Sequence, residues 1–124
     1  GAVSLKGHTA NVRKELLESS FLLSSSRYEG FGLALLEAAA AGVPIVSYDC
    51  PCGPSEIVED GKNGFLVPPG NVSALADACL RMTDASRPAL GAAALETARR
   101  FTMDRILPQW DALLRELLFR GSPQ

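Results

Sequence analysis

The amino-acid sequence predicts an α/β fold in which helices cover a parallel sheet. Short apolar runs alternate with helical segments in the order β-α-β-α-β, and this alternation is typical of parallel strands joined by helical crossovers. Each apolar run is bounded by small, polar or turn-forming residues, as buried strands are. A chain of 124 residues is long enough for one domain with a modest hydrophobic core.

The first strand–helix–strand unit is predicted at the start of the chain. Residues 2–5 form a short apolar run typical of a strand, and residues 21–24 form another, which ends at small polar residues. Between them, Thr9 or Asn11 is expected to cap a helix that includes Leu17. Either side chain can accept a hydrogen bond from the unpaired N–H groups of a helix start.

A leucine- and alanine-rich helix and a third strand follow. Residues 33–41 favour a helix by composition, and Gly42 is the kind of residue that commonly stands just past a helix end. Residues 43–47 form the third strand, in which Pro44 is tolerated because it stands near the beginning. Residues 54–58 can form a short helix that starts with a proline.

The second half of the chain continues the same pattern. A turn cluster at residues 60–64 precedes a fourth short strand at residues 65–67. Asn71 or Ser73 is expected to cap the next helix, and residues 87–98 form another with the same apolar period. The final segment starts at Thr102, and Pro108 is expected to break or kink this helix unless it stands within the first turn.

Composition excludes several classes of protein. Hydrophobic residues make up 47% of the chain and charged residues 21%, as in globular proteins, and a formal charge of −2 gives no electrostatic reason to expect nucleic acid. No apolar run approaches the roughly 20 residues of a membrane span, and no signal peptide is visible. Three cysteines suit a reducing compartment, so a cytoplasmic location is expected. One histidine and the Cys50–Cys52 pair make a metal site unexpected.

Residues 29–37, with the sequence EGFGLALLE, are the candidate binding site. A strand, a glycine turn and a helix present free N–H groups and a positive dipole end to an anion, and Phe31, Gly32 and Leu33 lie at this helix start. About one turn further, Glu37 can accept hydrogen bonds from hydroxyls such as those of a ribose, while Glu29 reaches the other end of the ligand. Spacing alone does not choose between this site and two solvent-exposed carboxylates without a ligand.

The same residues resemble the E-x7-E motif of retaining GT-B glycosyltransferases of family 4. The flanking sequence carries the resemblance too: SSSRY at 24–28, EAAAAGVPIVS at 37–47, GPSEIV at 53–58 and DGKNGFLV at 60–67. The resemblance covers nearly the whole chain. It implies that residues 1–124 are a single partial domain, the later part of the Rossmann-like C-terminal domain, which binds the nucleotide sugar, without the N-terminal acceptor domain.

The resemblance also implies a reaction and a role for each candidate residue. The family moves a sugar from a nucleotide diphosphate sugar to an acceptor hydroxyl and keeps the anomeric configuration. Glu37 would hold the ribose hydroxyls, and the N–H groups of Gly32 and Leu33 would hold the diphosphate. Glu29, the candidate catalytic residue, would hold the donor sugar together with the Phe31 backbone. The donor is a substrate, and no cofactor is expected.

Parts of the family's machinery have no counterpart in this chain. The basic pair that clamps the donor diphosphate lies earlier in the domain, and Lys6 and Arg13 come too late in the pattern to be assigned those roles. The chain alone is therefore expected to be inactive, with the missing N-terminal domain as its partner. The parent enzyme is expected to be cytoplasmic, with peripheral attachment to the membrane as a further option.

The final helix bears on partners as well. In the family it often crosses toward the N-terminal domain, so its apolar face can be left uncovered here and promote self-association. The apolar residues at helical spacing are Ile106, Leu107, Trp110, Leu113, Leu114 and Leu117.

Two alternatives stay open: a fragment of a GT-B-related nucleotide-sugar epimerase and a non-enzymatic binding module. The base, the sugar and the acceptor are not encoded in the motif.

Overall fold

The computed structural model describes residues 3–119 and contains a three-stranded parallel sheet in the order β1-β2-β3. Leu22 lies opposite Ile45, and Ile45 lies opposite Gly64. The predicted α/β class with a parallel sheet and flanking helices is confirmed. The strands are β1 (Leu22–Ser24), β2 (Ile45–Tyr48) and β3 (Gly64–Val67).

Helices connect and cover the strands, and two of the predicted caps are observed. The Asn11 side chain accepts a hydrogen bond of 3.0 Å from the Lys14 N–H, and the Asn71 side chain accepts one of 3.0 Å from the Ala74 N–H. A short 3₁₀ turn, Arg99–Phe101, joins the last two helices. Within residues 3–119 the helices are α1 (Val12–Leu17), α2 (Leu33–Ala40), α3 (Pro54–Ile57), α4 (Val72–Leu80), α5 (Arg87–Ala98) and α6 (Met103–Phe119).

The predicted strand over residues 2–5 is wrong for its described part, residues 3–5. These residues have no regular structure, and the side chains of Val3 and Leu5 are 82% and 95% exposed. A short apolar run becomes a strand when it pairs with a neighbour and buries one face, and this run does neither. Residue 2 lies outside the described residues.

The core lies on both faces of the sheet because β2 is buried on both sides, as strands of parallel sheets are. Ile45 belongs to the cluster built with α2 and α5, whereas Val46 and Tyr48 belong to the cluster built with α4. Small residues bring α2 and α5 close together: a Cβ added at Gly91 would lie 2.3 Å from the Gly42 carbonyl oxygen.

A buried asparagine ties the turn before β3 to two helices. Asn63 is fully buried, and its Nδ2 donates to the Ile57 carbonyl and to the Thr97 hydroxyl, each at 2.9 Å. Its Oδ1 accepts from the Glu59 N–H at 2.8 Å. The sequence predicts only a turn cluster here, whereas the structure shows a polar junction inside the core.

Helix α6 is continuous through Pro108, so the predicted break is wrong, and the alternative, a kink at Pro108, stays a prediction. Pro108 is beyond the first turn of a helix that starts at Met103, and its missing N–H removes the bond to the Asp104 carbonyl. None of the residues of α6 is buried, and Trp110 and the leucines of its apolar face are exposed. In the described residues, no helix combines the length and the apolar character that a membrane crossing requires.

Candidate functional site

The carboxyl ends of the three strands meet at one edge of the sheet, where open α/β sheets bind ligands. The loop that follows β1, residues 25–32, leads directly into α2. The loop that follows β2, residues 49–53, leads into α3. Glu29, Phe31 and Gly32 therefore lie in a loop at this edge, and Leu33 begins the helix that follows it, whereas Glu37 lies one turn further along α2.

The start of α2 exposes unpaired backbone N–H groups. Gly32 caps the helix in the left-handed region, with φ of 88°, and no side chain caps it. The Gly32 carbonyl accepts from the Leu35 N–H at 2.9 Å and from the Leu36 N–H at 3.1 Å, so the N–H groups of Leu33 and Ala34 precede the first bonded ones. The positive end of the helix dipole and these N–H groups together favour an anion.

Phe31 holds this helix start in place through both its ring and its backbone. The ring packs edge-to-face on Phe101, with 5.4 Å between centroids and 65° between planes. The backbone lies against Gly53: a Cβ added at Gly53 would lie 2.2 Å from the Phe31 carbonyl oxygen. Gly53 has φ of 113°, which L side chains rarely adopt. The loop after β2 is thus pressed against the loop after β1.

The two carboxylates of the motif are both available to a ligand. Glu29 is half-buried in the loop, Glu37 is exposed on α2, and within residues 3–119 neither carboxylate makes a hydrogen bond or an ion pair. Glu37 lines a groove of ≈ 210 Å³ between α1 and α2 together with Arg13, whereas Glu29 does not line it. The two carboxylates therefore do not line one common pocket.

The five predicted site residues differ in what they offer. The side chain of Leu33 is 69% exposed, whereas Gly32 is buried and Phe31 is half-buried against the core. The free backbone N–H groups of this helix start are those of Leu33 and Ala34. Glu29 and Glu37 offer carboxylates. The contact of Gly53 with Phe31 could not be read from the sequence; its only local signal is the glycine–proline pair before α3.

A second cavity, of ≈ 510 Å³, lies at the carboxyl ends of the strands and was not predicted. Ser25 follows β1, Tyr48 ends β2, and Val72 starts α4. The side chain of Arg27, in the loop before Glu29, also lines it. The sequence signals, an arginine and an aromatic residue at strand ends, are too common to indicate a site on their own.

In the part of the chain that the structure describes, no three His, Cys, Asp or Glu side chains cluster in a way that could hold a metal ion. Cys50 is buried and Cys52 is exposed in the loop after β2. Burial raises the pKa of the Cys79 thiol, which keeps it protonated near neutral pH.

Known proteins are similar to this chain in sequence and in fold. The family model of glycosyl transferases group 1 matches residues 1–85. An exopolysaccharide phosphotransferase of Streptomyces coelicolor is 42% identical over 122 residues, covering 96% of this chain and 13% of that protein. A poly(ribitol-phosphate) alpha-N-acetylglucosaminyltransferase of Staphylococcus aureus is 35% identical over 111 residues, covering 87% of this chain and 22% of that protein.

A solved structure agrees with these relatives. A TarM mutant of Staphylococcus aureus, crystallised with fondaparinux, alpha-GlcNAc-glycerol and UDP, superposes with a TM-score of 0.84 at 35% identity. The match covers 90% of this chain and 23% of that one. The chain thus spans less than a quarter of the length of each of these three proteins.

Proposed function

The chain belongs to the glycosyl transferases group 1 family, and we propose that it forms the donor-binding part of a retaining glycosyltransferase. The observation that carries the proposal is the start of α2, where the N–H groups of Leu33 and Ala34 are free. The carboxylates of Glu29 and Glu37, which precede and follow these residues along the chain, have no partner within residues 3–119. An anion with hydroxyl groups on both sides fits this arrangement, and a nucleotide diphosphate sugar has that chemistry.

Each group at the site has a role in this proposal. The N–H groups of Gly32 and Leu33 bind the diphosphate, and Glu37 accepts hydrogen bonds from the ribose hydroxyls. Glu29 and the Phe31 backbone bind the donor sugar and place its anomeric carbon near the acceptor. We propose uridine as the base, which is supported by UDP in the TarM structure. The alpha linkage in the name of the Staphylococcus aureus relative is the product that retention would give from an alpha-linked donor sugar.

The reaction needs more than this chain provides. Departure of the diphosphate requires positive charge that stabilises it in the transition state. In the described residues, Arg13 lies in the groove beside Glu37 and the start of α2 supplies only partial charge. We therefore propose that the basic pair and the acceptor domain lie in a longer protein, and that this chain alone does not transfer sugar.

The relatives favour this reaction over the epimerase alternative. The Staphylococcus aureus relative is named as a transferase of N-acetylglucosamine. The Streptomyces coelicolor relative is named as an exopolysaccharide phosphotransferase, and this chain covers 13% of it. We place the longer protein in the cytoplasm with peripheral attachment to the membrane. Recovery of the protein in the membrane fraction after an alkaline wash would contradict peripheral attachment.

Replacing Glu37 with alanine is expected to weaken UDP binding by about 1.5–3 kcal/mol, the range for hydrogen bonds to a charged group. Titration calorimetry of this chain with UDP, GDP and ADP measures the effect and identifies the base. Glu96→Ala is the matched control, because Glu96 is an exposed helical glutamate on α5 that pairs with Arg99. Equal affinities for UDP in the Glu37→Ala variant and in the unchanged chain would contradict the ribose role.

The apolar face of α6 is expected to promote self-association of this chain. Trp110, Leu113 and Leu117 are all exposed on a helix without buried residues. Contact of this face with the rest of a longer protein would cover it, whereas the separate chain leaves it in water. Sedimentation velocity over a range of concentrations should show reversible association that Leu113→Glu abolishes and that Arg115→Gln, at an exposed ion pair with Asp111, retains. A monomer at all concentrations would contradict this proposal.

A further inference from the structure

The start of α2 is not fixed by a capping side chain. Asn11 and Asn71 cap α1 and α4 by accepting hydrogen bonds at their side chains, whereas Gly32, which caps α2, has no side chain that can do so. Glycine also has more backbone freedom than any other residue. The direction of the first turn of α2 therefore depends on contacts made by the residue before the cap, which is Phe31.

The ring of Phe31 is supported by a residue that lies far from the motif in the sequence. It packs edge-to-face on the ring of Phe101, with 5.4 Å between the centroids. Both side chains are half-buried against the core cluster built with α2 and α5. A hydrophobic residue just before a helix cap fixes the angle at which the chain enters the helix by packing on an apolar neighbour. For α2 this neighbour is supplied by a different element.

Phe101 is itself held by the turn between α5 and α6. It is the last residue of the 3₁₀ turn that joins these helices, and the Thr102 hydroxyl donates to the Arg99 carbonyl of this turn at 2.9 Å. The Arg100 guanidinium lies over the Phe101 ring, 5.5 Å from its centroid. A guanidinium nitrogen of Arg100 also lies 3.6 Å from a carboxylate oxygen of Glu59. These contacts restrict the position of the Phe101 ring.

We propose that Phe101 is a positioning residue of the donor site, which keeps the free N–H groups of Leu33 and Ala34 where the donor diphosphate binds. The inference rests on the proposed function, in which the start of α2 binds the diphosphate. Phe101 acts through Phe31, which is followed by Gly32 and then by these N–H groups. A preorganised helix start binds an anion without first having to be ordered, so loosening it lowers the affinity. The turn between α5 and α6 thus belongs functionally to the donor site.

The test is a double-mutant cycle measured by titration calorimetry with UDP. Phe101→Leu keeps an apolar side chain but removes the ring, and it is expected to weaken UDP binding about threefold to tenfold, the factor into which the energy of one aromatic pair converts. Phe31→Leu should weaken binding by a similar factor. Because Phe101 acts through Phe31, the double variant should bind UDP only as weakly as the single variants, and the two factors should not multiply. Phe101→Met replaces Phe101→Leu if the latter does not fold, because methionine adapts to irregular gaps.

Leu75→Val is the control for a loss of stability alone. Leu75 is buried on α4, in the core cluster built with that helix, which contains no residue of α2. The variant should unfold at a lower urea concentration than the unchanged chain, because it removes a buried methylene group. Its affinity for UDP should equal that of the unchanged chain.

Amide hydrogen exchange of the ligand-free chain tests the same support without UDP. The N–H groups of Leu35 and Leu36 donate to the Gly32 carbonyl at 2.9 and 3.1 Å. Phe101→Leu should speed their exchange relative to that of the amides in β2, because the helix start opens more often, whereas Leu75→Val should leave this ratio unchanged.

The two measurements separate the inference from the proposed function. If UDP does not bind to the unchanged chain but Phe101→Leu speeds the exchange as described, the proposed function fails while the support of the helix start by Phe101 stands. If UDP binds to Phe101→Leu as tightly as to the unchanged chain, or if the two factors multiply in the double variant, the inference is wrong. It is also wrong if Phe101→Leu leaves the exchange ratio unchanged.

Discussion

Replacing Asn63 with alanine is expected to lower the free energy of unfolding by roughly 3–4 kcal/mol, because it leaves several buried polar groups without partners. The fully buried side chain makes three hydrogen bonds, to Ile57, Glu59 and Thr97. Alanine removes all three and leaves a small cavity between the turn, α3 and α5. Urea unfolding followed by circular dichroism measures the change.

Two further variants keep this test informative if Asn63→Ala does not fold. Thr97→Val removes only the hydroxyl that accepts from Asn63, so a loss of about 1 kcal/mol is expected. Lys62→Ala, one residue away, removes an exposed ion pair with Glu59 and should change stability by less than about 1 kcal/mol. Unfolding of Asn63→Ala at the same urea concentration as Lys62→Ala would show that the junction contributes little.

Replacing Gly53 with alanine is expected to lower the free energy of unfolding by about 2–4 kcal/mol and to weaken UDP binding. The added Cβ would lie 2.2 Å from the Phe31 carbonyl oxygen, and φ of 113° is unfavourable for alanine. Either strain can be relieved only by moving the loop after β2 away from Phe31. Because Gly32 and Leu33 follow Phe31 directly, the N–H groups at the start of α2 would then move as well.

Gly30→Ala is the control for this prediction. Gly30 lies in the same loop as Phe31, but a Cβ there meets nothing within 4 Å and its φ is not positive. The free energy of unfolding of Gly30→Ala is expected to stay within about 1 kcal/mol of that of the unchanged chain. The account of the Gly53 contact is wrong if the two alanine variants unfold at the same urea concentration.

The sequence predicts the elements whose cause is local. Asn11 and Asn71 cap α1 and α4 through their own side chains, and Pro54 starts α3 because its fixed φ suits a first helical position. The strands that form are those whose apolar residues pair and become buried. Residues 3–5 are a short apolar run like those of the strands, but no strand lies next to them. The composition of a run does not show whether a neighbouring strand is present.

Contacts between distant parts of the chain could not be predicted. Asn63 and Thr97 are 34 residues apart, and their hydrogen bond exists only because α5 packs beside the turn. Gly53 contacts Phe31, although the two residues belong to different loops. Arg27 and Tyr48 line one cavity, although they are far apart in the sequence. The turn and the helix between Glu29 and Glu37 could be predicted because their causes are local, whereas the packing that supports them could not.

The position of UDP on this chain is the most direct test of the donor-binding role. Amide signals of the isotope-labelled chain can be followed during titration with UDP and then with UDP-glucose. UDP is expected to shift the signals of residues 31–34 and Glu37, and the glucose moiety is expected to add shifts at Glu29 and Gly30. Titrations that leave residues 31–37 unperturbed at every concentration of UDP would contradict the central claim.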